Sequence, residues 1–282
     1  MRVFITGVSG FLGAALGAHL AESGHIVGGS ATRILPAPKG VRELRIMRFG
    51  EPLTAELFAG YEAVVHAAYS LLPADEQRNV DGTLSAFRAA GEAGAVRQVF
   101  VSSYSAHAGA TSAYGRSKQR IEEALAGSAT IVRPGLVIGR GGLFARMRRI
   151  VERMPVVPCI SGTGGFPVVA IADVCLACER LVSATEPSVA NLYLEQRVSL
   201  RDLLQEVARA LRVRRVFLPI PYAAAFAAAW AFEKVPLQVG VTLENVRGLR
   251  ANRSASFRSD LRAYVESPRS LRQMVEEAVA AG

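Results

Sequence analysis

The sequence predicts an α/β protein with a doubly wound parallel sheet, followed by a small, mainly helical C-terminal lobe. Short apolar segments rich in β-branched residues alternate with helix-like segments as far as Gly139, the rhythm of a parallel sheet covered on both faces. After Gly139, helix-like segments outnumber strand-like ones. Half of the 282 residues are apolar, so the chain can bury a large core.

The elements follow from the apolar periodicity and its breaks. In the first part we expect strands at 2–6, 25–31, 44–49, 62–68, 97–102 and 129–133, and helices at 11–23, 53–59, 75–94 and 112–126. In the second part we expect helices at 143–153, 173–183, 199–211, 221–233 and 268–280, and strands at 167–171 and 191–195. These elements predict one domain over 1–140 and a lobe over 141–282, with segments near 167–195 crossing back.

The charge balance and the cysteines limit the possible partners. The net charge is +9, spread along the chain without the dense basic runs of a nucleic-acid-binding arm, so we expect an anionic small-molecule ligand. Three cysteines are too few for a disulfide framework, and Cys175 and Cys178 fit two buried thiols better than a zinc site. No apolar stretch is long enough to span a membrane. The expectation is a cytoplasmic protein that binds no nucleic acid, membrane or metal.

A glycine-rich loop follows the first predicted strand and opens the first predicted helix. Glycines at this point allow a tight turn and a close approach of the backbone to a pyrophosphate, and the helix N-terminus supplies amide donors. The alternative is an ordinary glycine-rich turn, but the placement after the first strand favours a dinucleotide site. The residues expected to contact the cofactor here are Gly7, Ser9, Gly10, Phe11, Leu12 and Gly13.

The end of the second predicted strand indicates which nicotinamide cofactor is used. An acidic residue there would bind the adenosine ribose hydroxyls, but residues 28–33 contain no carboxylate. Their small side chains leave room for a 2′-phosphate, to which Thr32 and Arg33 can donate. The sequence therefore favours NADP over NAD; the alternative is that Arg33 is a solvated loop residue.

Tyr114 and Lys118 lie four residues apart at the start of a predicted helix, so their side chains share one face. A phenol needs a cation beside it to act as an acid and base near neutral pH, because its ordinary pKa is about 10. The chain has thirty arginines and only three lysines, which makes a lysine at this position notable. We interpret the two residues as a catalytic pair; an exposed pair on an amphipathic helix is the alternative.

Ser103 ends a predicted strand, at the edge where ligands bind in α/β proteins. Its hydroxyl is expected to hydrogen-bond a substrate oxygen beside Tyr114. Ser102 and Ser105 are competing hydroxyls. A serine at a strand end is a weak signal on its own.

Several short motifs, in a shared order, resemble the extended short-chain dehydrogenase/reductases of the NAD-dependent epimerase/dehydratase group, which have a Rossmann domain. The matching segments are Thr6 to Gly13, His66-Ala67-Ala68, Asn79 to Thr83, Ser103, Tyr114 with Lys118, Arg133-Pro134-Gly135, and Pro167 to Asp173.

The resemblance implies further roles for particular residues. Lys118 would also hold the nicotinamide ribose, Asn79 would support a helix kink and a proton relay, and Ala67, Ala68 and Pro134 would line the cofactor site. It also implies a homodimer formed through the helices near 75–94 and 112–126. His66, a lone histidine ending a buried strand, is interpreted as structural.

One departure from the family pattern bears on the reaction. Many sugar dehydratases of the group carry an Asp-Glu pair after the catalytic hydroxyl residue, whereas this chain has Tyr104 and Ser105. Dehydration needs an acid and a base there, so that reaction is disfavoured. We expect an NAD(P)-dependent oxidoreductase acting on a nucleotide sugar or related molecule. The alternatives are a nucleotide-sugar epimerase that retains its cofactor and, outside enzymes, a redox-sensing dinucleotide-binding protein.

Overall fold

The computed structural model describes residues 1–161, 164–225 and 257–280. The strands are β1 (Arg2–Thr6), β2 (Ile26–Ala31), β3 (Val41–Ile46), β4 (Ala63–His66), β5 (Arg97–Val101), β6 (Thr130–Pro134), β7 (Leu136–Ile138), β8 (Val156–Ser161), β9 (Val168–Ala170), β10 (Val189–Leu192) and β11 (Val216–Pro221). The helices are α1 (Phe11–Glu22), α2 (Glu76–Glu92), α3 (Ala113–Leu125), α4 (Gly142–Arg153), α5 (Ile171–Ser183), α6 (Leu200–Ala210), α7 (Leu261–Tyr264) and α8 (Leu271–Ala280). Short 3₁₀ turns cover Ala55–Phe58 and Pro73–Asp75.

Seven strands form the main sheet in the order β10-β6-β5-β4-β1-β2-β3, and every pairing is parallel. The strand order reverses at β1, which pairs with β2 on one side and β4 on the other. Crossover connections leave this point in opposite directions, so a crevice opens at the carboxyl ends of β1 and β4.

Helices cover both faces of this sheet. Alternate residues of β1 point to opposite faces: Val3 and Ile5 pack with α1 and α5, whereas Phe4 packs in a cluster that includes α2. A further cluster joins α2 and α3 over β5 and includes the Phe100 side chain. The predicted doubly wound parallel sheet is confirmed.

The C-terminal region is mainly helical, as predicted, but it contains strands that the sequence did not reveal. β7 pairs with β9, and β8 pairs with β11, in two small parallel sheets. Of these four strands, only β9 was predicted, at 167–171. Pro158, Pro219 and Pro221 lie within β8 and β11, and proline breaks the usual strand pattern because it lacks an amide donor. In a two-stranded sheet each strand has a free edge, so prolines are tolerated there. The helix predicted at 221–233 falls largely outside the described residues.

Two other features of the fold bear on the predicted boundaries. β3 begins and ends three residues before the predicted strand at 44–49, because the charged Arg42 and Glu43 on this edge strand hide its alternation. β10 joins the main sheet beside β6, and α5 packs against α1. The division at residues 140 and 141 remains a prediction. Within the described ranges, no helix is both long and apolar enough to cross a membrane.

Candidate active site

The glycine loop lies at the crevice where the strand order reverses. Gly7 has a φ of +67°, and a Cβ added there would lie 2.8 Å from the Cα of Ala68. A Cβ on Gly13 would overlap the Gly7 carbonyl oxygen. These two positions therefore require glycine, one for its backbone conformation and both for close packing.

The third glycine, Gly10, borders open space. A Cβ added there would meet a single atom within 4 Å, the Gly7 carbonyl oxygen at 3.2 Å. Gly10 is the N-cap of α1 and has no side chain to cap the helix. The first-turn amides of Phe11, Leu12 and Gly13 therefore suit an anion, and the exposed Ser9 adds a hydroxyl beside them. The residues present fit the pyrophosphate of a dinucleotide.

The Phe11 side chain connects this loop to the segment that leads into the C-terminal region. A Cβ added to Gly139 or Gly142 would lie within 3.0 Å of the Phe11 ring, and one added to Gly141 would overlap it. Because these glycines have no side chain, the backbone around residues 139–142 can pack directly against the Phe11 ring.

The end of β2 contributes one buried and two exposed side chains. The Ser30 hydroxyl is buried and accepts a hydrogen bond from the Gly7 amide at 3.2 Å, so it supports the glycine loop. Thr32 and Arg33 are exposed. The Arg48 Nε donates to the Thr32 carbonyl oxygen at 2.8 Å, which adds a second cation that sequence reasoning missed. The only indication of this cation in the sequence is that Arg48 is a basic residue two positions after the end of β3.

The segment after β4 is held down at two points. The Thr6 hydroxyl accepts hydrogen bonds from the amides of Ala67 and Ala68, both at 3.1 Å. The buried Asn79 side chain accepts from the Ser70 amide at 2.8 Å and donates to the Ser70 carbonyl oxygen at 2.9 Å. Asn79 therefore fixes this segment over the crevice.

Ser103 lies two residues beyond the end of β5, and its side chain is near enough to Tyr114 to lower the pKa of that phenol. It also accepts the Ser105 amide at 3.1 Å. The neighbouring Ser102 hydroxyl is buried and has no hydrogen-bond partner among the described residues. Of the candidate hydroxyls, the structure thus brings Ser103 to Tyr114.

Lys118 is only 3% exposed, and its ammonium donates to the Val101 carbonyl oxygen at 2.6 Å. Its Nζ lies 5.9 Å from the centre of the Tyr114 ring and 4.6 Å from that of the Tyr69 ring. Burial lowers the pKa of Lys118 to about 7, although the nearby Glu122 carboxylate acts in the opposite direction. Tyr114 and Lys118 therefore share one site at the end of β5.

The phenol behaves differently from the sequence-based expectation. Burial raises the pKa of Tyr114 above its ordinary value, and the nearby Ser103 side chain lowers it only in part. The expectation considered the lysine ammonium but not the loss of hydration. In this state Tyr114 is a protonated donor.

Other singled-out residues lie in the core. His66 is 2% exposed, stacks on Phe87 at 3.9 Å and bonds the Gln98 side chain, and burial lowers its pKa to about 3. Pro134 is buried at the end of β6, and its carbonyl oxygen accepts the Tyr104 amide at 2.9 Å. The described residues hold no group of three potential metal ligands, and both Cys175 and Cys178 are buried free thiols.

A glycine loop at the sheet's switch point, beside a buried lysine and two hydroxyls, defines a dinucleotide-binding protein of the Rossmann type. The chain belongs to the NAD dependent epimerase/dehydratase family, whose model matches residues 3–192, more than half of its length. The resemblance inferred from the motifs is confirmed, and a nicotinamide dinucleotide is the corresponding cofactor class. No curated protein matches the chain in sequence.

Solved structures share the fold along the whole chain. A nucleoside-diphosphate-sugar epimerase from Staphylococcus aureus has a TM-score of 0.76 at 17% identity, covering 98% of this chain and 100% of that one. MoeE5, in complex with UDP-glucose and NAD, has a TM-score of 0.70 at 18% identity, covering 99% and 98%. A human epimerase family protein with NADPH has a TM-score of 0.67 at 19% identity, covering 99% of both chains.

Proposed function

We propose that this protein is an NAD(P)-dependent oxidoreductase that transfers hydride at a carbinol or carbonyl carbon of a nucleotide sugar or related anionic molecule. The observation that supports this most is the grouping of Ser103, Tyr114 and Lys118 at the end of β5. The glycine loop belongs to the same crevice. Gly7 packs against Ala68, and the ring of the next residue, Tyr69, has its centre 4.6 Å from Lys118 Nζ.

The side chains divide the proton chemistry between them. When bound, the nicotinamide ring would supply or accept the hydride. In the reducing direction, Tyr114 gives its hydroxyl proton to the carbonyl oxygen as that oxygen becomes a hydroxyl, and Ser103 donates a hydrogen bond to the same oxygen. The Lys118 ammonium favours the phenolate that remains. Because its pKa is about 7, Lys118 is poised to gain or lose a proton near neutral pH.

We propose NADP as the cofactor, with NAD as the alternative. The end of β2 carries no carboxylate, and Thr32 and Arg33 are exposed there. Arg48 adds a half-exposed guanidinium whose Nε donates to the Thr32 carbonyl oxygen and whose Nη1 lies 3.3 Å from the exposed Glu51 carboxylate. Two guanidinium groups at one strand edge suit a 2′-phosphate, since arginine binds phosphate with its planar fork.

A nucleotide sugar is supported by two observations. The second half of the chain is the more basic, with an excess of +6 after Gly141. MoeE5 and the Staphylococcus aureus protein are sugar-nucleotide proteins by their own descriptions. We also propose a cytoplasmic homodimer formed through α2 and α3, which lie side by side within one chain, joined by Glu76 with Arg116 and Gln77 with Arg120. Sedimentation equilibrium tests the dimer.

The test is to compare NADPH with NADH binding by fluorescence, then to follow nicotinamide absorbance with a panel of nucleotide sugars. We expect tighter NADPH binding and turnover with at least one sugar nucleotide. Tyr114→Phe should reduce turnover by about 10²- to 10⁴-fold and leave cofactor affinity nearly unchanged. A Tyr114→Phe protein with full turnover would refute the proposal.

The same assay separates the alternatives. A reductase consumes added NADPH in proportion to product, whereas an epimerase inverts the sugar carbon without net consumption. A redox sensor binds the cofactor and shows no turnover with any sugar in the panel. Dehydration remains disfavoured, because Tyr104 and Ser105 supply no carboxylate.

A further inference from the structure

Tyr69 lies in the candidate active site, although no motif pointed to it. The chain is tied on both sides of it: Ala67 and Ala68 donate to the Thr6 hydroxyl, and Asn79 pairs with both backbone groups of Ser70. The position of its backbone is therefore set by β1 and α2.

The Tyr69 hydroxyl fixes the rotation of the side chain. It lies 2.7 Å from the Ser117 hydroxyl oxygen, and Ser117 is fully buried. The Ser117 hydroxyl can also donate to the Tyr114 carbonyl oxygen at 3.0 Å. Whichever hydroxyl donates in the Tyr69–Ser117 pair, the contact links Tyr69 to α3.

The Tyr69 ring contacts both members of the catalytic pair. It meets the Tyr114 ring edge to face, with centres 5.1 Å apart and planes at 84°. Lys118 Nζ lies 4.6 Å from the centres of both the Tyr69 and Phe100 rings. Burial raises the pKa of Tyr69 to about 12, so the ring stays neutral and offers the ammonium a π face.

We propose that Tyr69 is a positioning residue, which, granted the proposed function, holds the Lys118 ammonium and the Tyr114 ring in register before substrate binds. Burial alone disfavours a charged lysine, as its lowered pKa shows. The groups that favour the charged form are the Val101 carbonyl oxygen, the Glu122 carboxylate and three aromatic rings, of which those of Tyr69 and Phe100 are nearer than that of Tyr114. Without the Tyr69 ring, Lys118 would lose part of this stabilisation.

The test reads the protonation of Lys118 directly. The chain has three lysines, so labelling lysine with ¹³C at Cε gives three resonances, and loss of one in Lys118→Arg assigns it. Tyr69→Phe keeps the ring, and we expect the Lys118 pKa to stay within a few tenths of wild type. Tyr69→Leu removes the ring, and we expect that pKa to fall by about half a unit to one unit.

A second variant keeps the test valid if Tyr69→Leu fails to fold. Tyr69→pentafluorophenylalanine preserves the shape of the ring and reverses its charge distribution, so the Lys118 pKa should fall relative to Tyr69→Phe. In activity, Tyr69→Leu should lower kcat about tenfold with KM little changed and move the basic limb of the pH profile with the Lys118 pKa. Tyr61→Phe is the control, since Tyr61 is a buried tyrosine bonded to Glu43 in another cluster.

The outcomes separate this proposal from the proposed function. An unchanged Lys118 pKa in both ring-altering variants overturns the positioning role, whether or not the protein has activity. Tighter NADPH binding by Tyr69→Leu also overturns it, because Tyr69 would then obstruct the site. The expected pKa changes without turnover on any nucleotide sugar would uphold the Tyr69 contact and refute the function.

Discussion

Replacing Gly7 with alanine tests the close approach between the glycine loop and the segment after β4. Gly7 has a φ of +67°, and its added Cβ would lie 2.8 Å from the Ala68 Cα, which cannot withdraw freely because its amide is bonded to Thr6. The left-handed conformation costs alanine about 1–2 kcal/mol. The overlap adds about 1–3 kcal/mol. We expect Gly7→Ala to lose about 2–5 kcal/mol of unfolding free energy.

Gly24→Ala provides the matched control. Gly24 has a φ of +84°, and an added Cβ would find nothing within 4 Å, so this variant carries the backbone strain without the overlap. Urea unfolding monitored by circular dichroism should place Gly7→Ala about 1–3 kcal/mol below Gly24→Ala. NADPH affinity should fall only in Gly7→Ala. Equal stability of the two variants would refute the packing argument.

Three further predictions concern single side chains. Between about pH 7 and 10 the unfolded chain binds a proton at Lys118 that the folded chain does not, so the unfolding free energy of the wild type should rise with pH relative to that of Lys118→Met, by up to about 1.4 kcal/mol per pH unit. Lys39→Met should show no such difference from wild type. Parallel stability curves for wild type and Lys118→Met would contradict the burial of the Lys118 amine. Arg48→Ala should weaken NADPH binding about five- to tenfold and leave NADH binding unchanged by calorimetry, whereas equal losses for both would remove Arg48 from the 2′-phosphate site. Burial raises the pKa of all three cysteine thiols, that of Cys175 to about 12. An aromatic disulfide reagent should therefore label these thiols only after the protein unfolds. Fast labelling of the folded protein would contradict their burial.

The sequence allowed prediction of those parts of the site that depend on local spacing. The glycine loop, the Tyr114 and Lys118 pair and the serine at the end of β5 each follow from residues close together in the chain. Tyr69 and Arg48 escaped prediction because their contacts join segments far apart, Tyr69 with Ser117 and Arg48 with Thr32. The raised pKa of Tyr114 escaped for a related reason, since burial depends on how the elements pack.

In the fold, too, elements set by local sequence were predicted, and elements that depend on contacts between distant segments were missed. The parallel sheet was predictable because buried strands are nearly continuous apolar runs. β8 and β11 were missed because their prolines contradict the usual strand pattern, which only the pairing of two distant segments makes acceptable. The roles of Ser103, Tyr114, Lys118 and Asn79, and the cofactor contacts, remain predictions that the experiments above address.

The seventh strand of the sheet has a consequence for any attempt to produce the first half of the chain separately. β10 comes from residues 189–192 yet pairs along β6, and α5 before it covers the same sheet face as α1. A fragment ending at residue 140 would leave the amides and carbonyls of β6 open to pairing with another copy, beneath a bare apolar surface. Such a fragment should aggregate, and autonomous folding should require the chain to extend beyond Leu192.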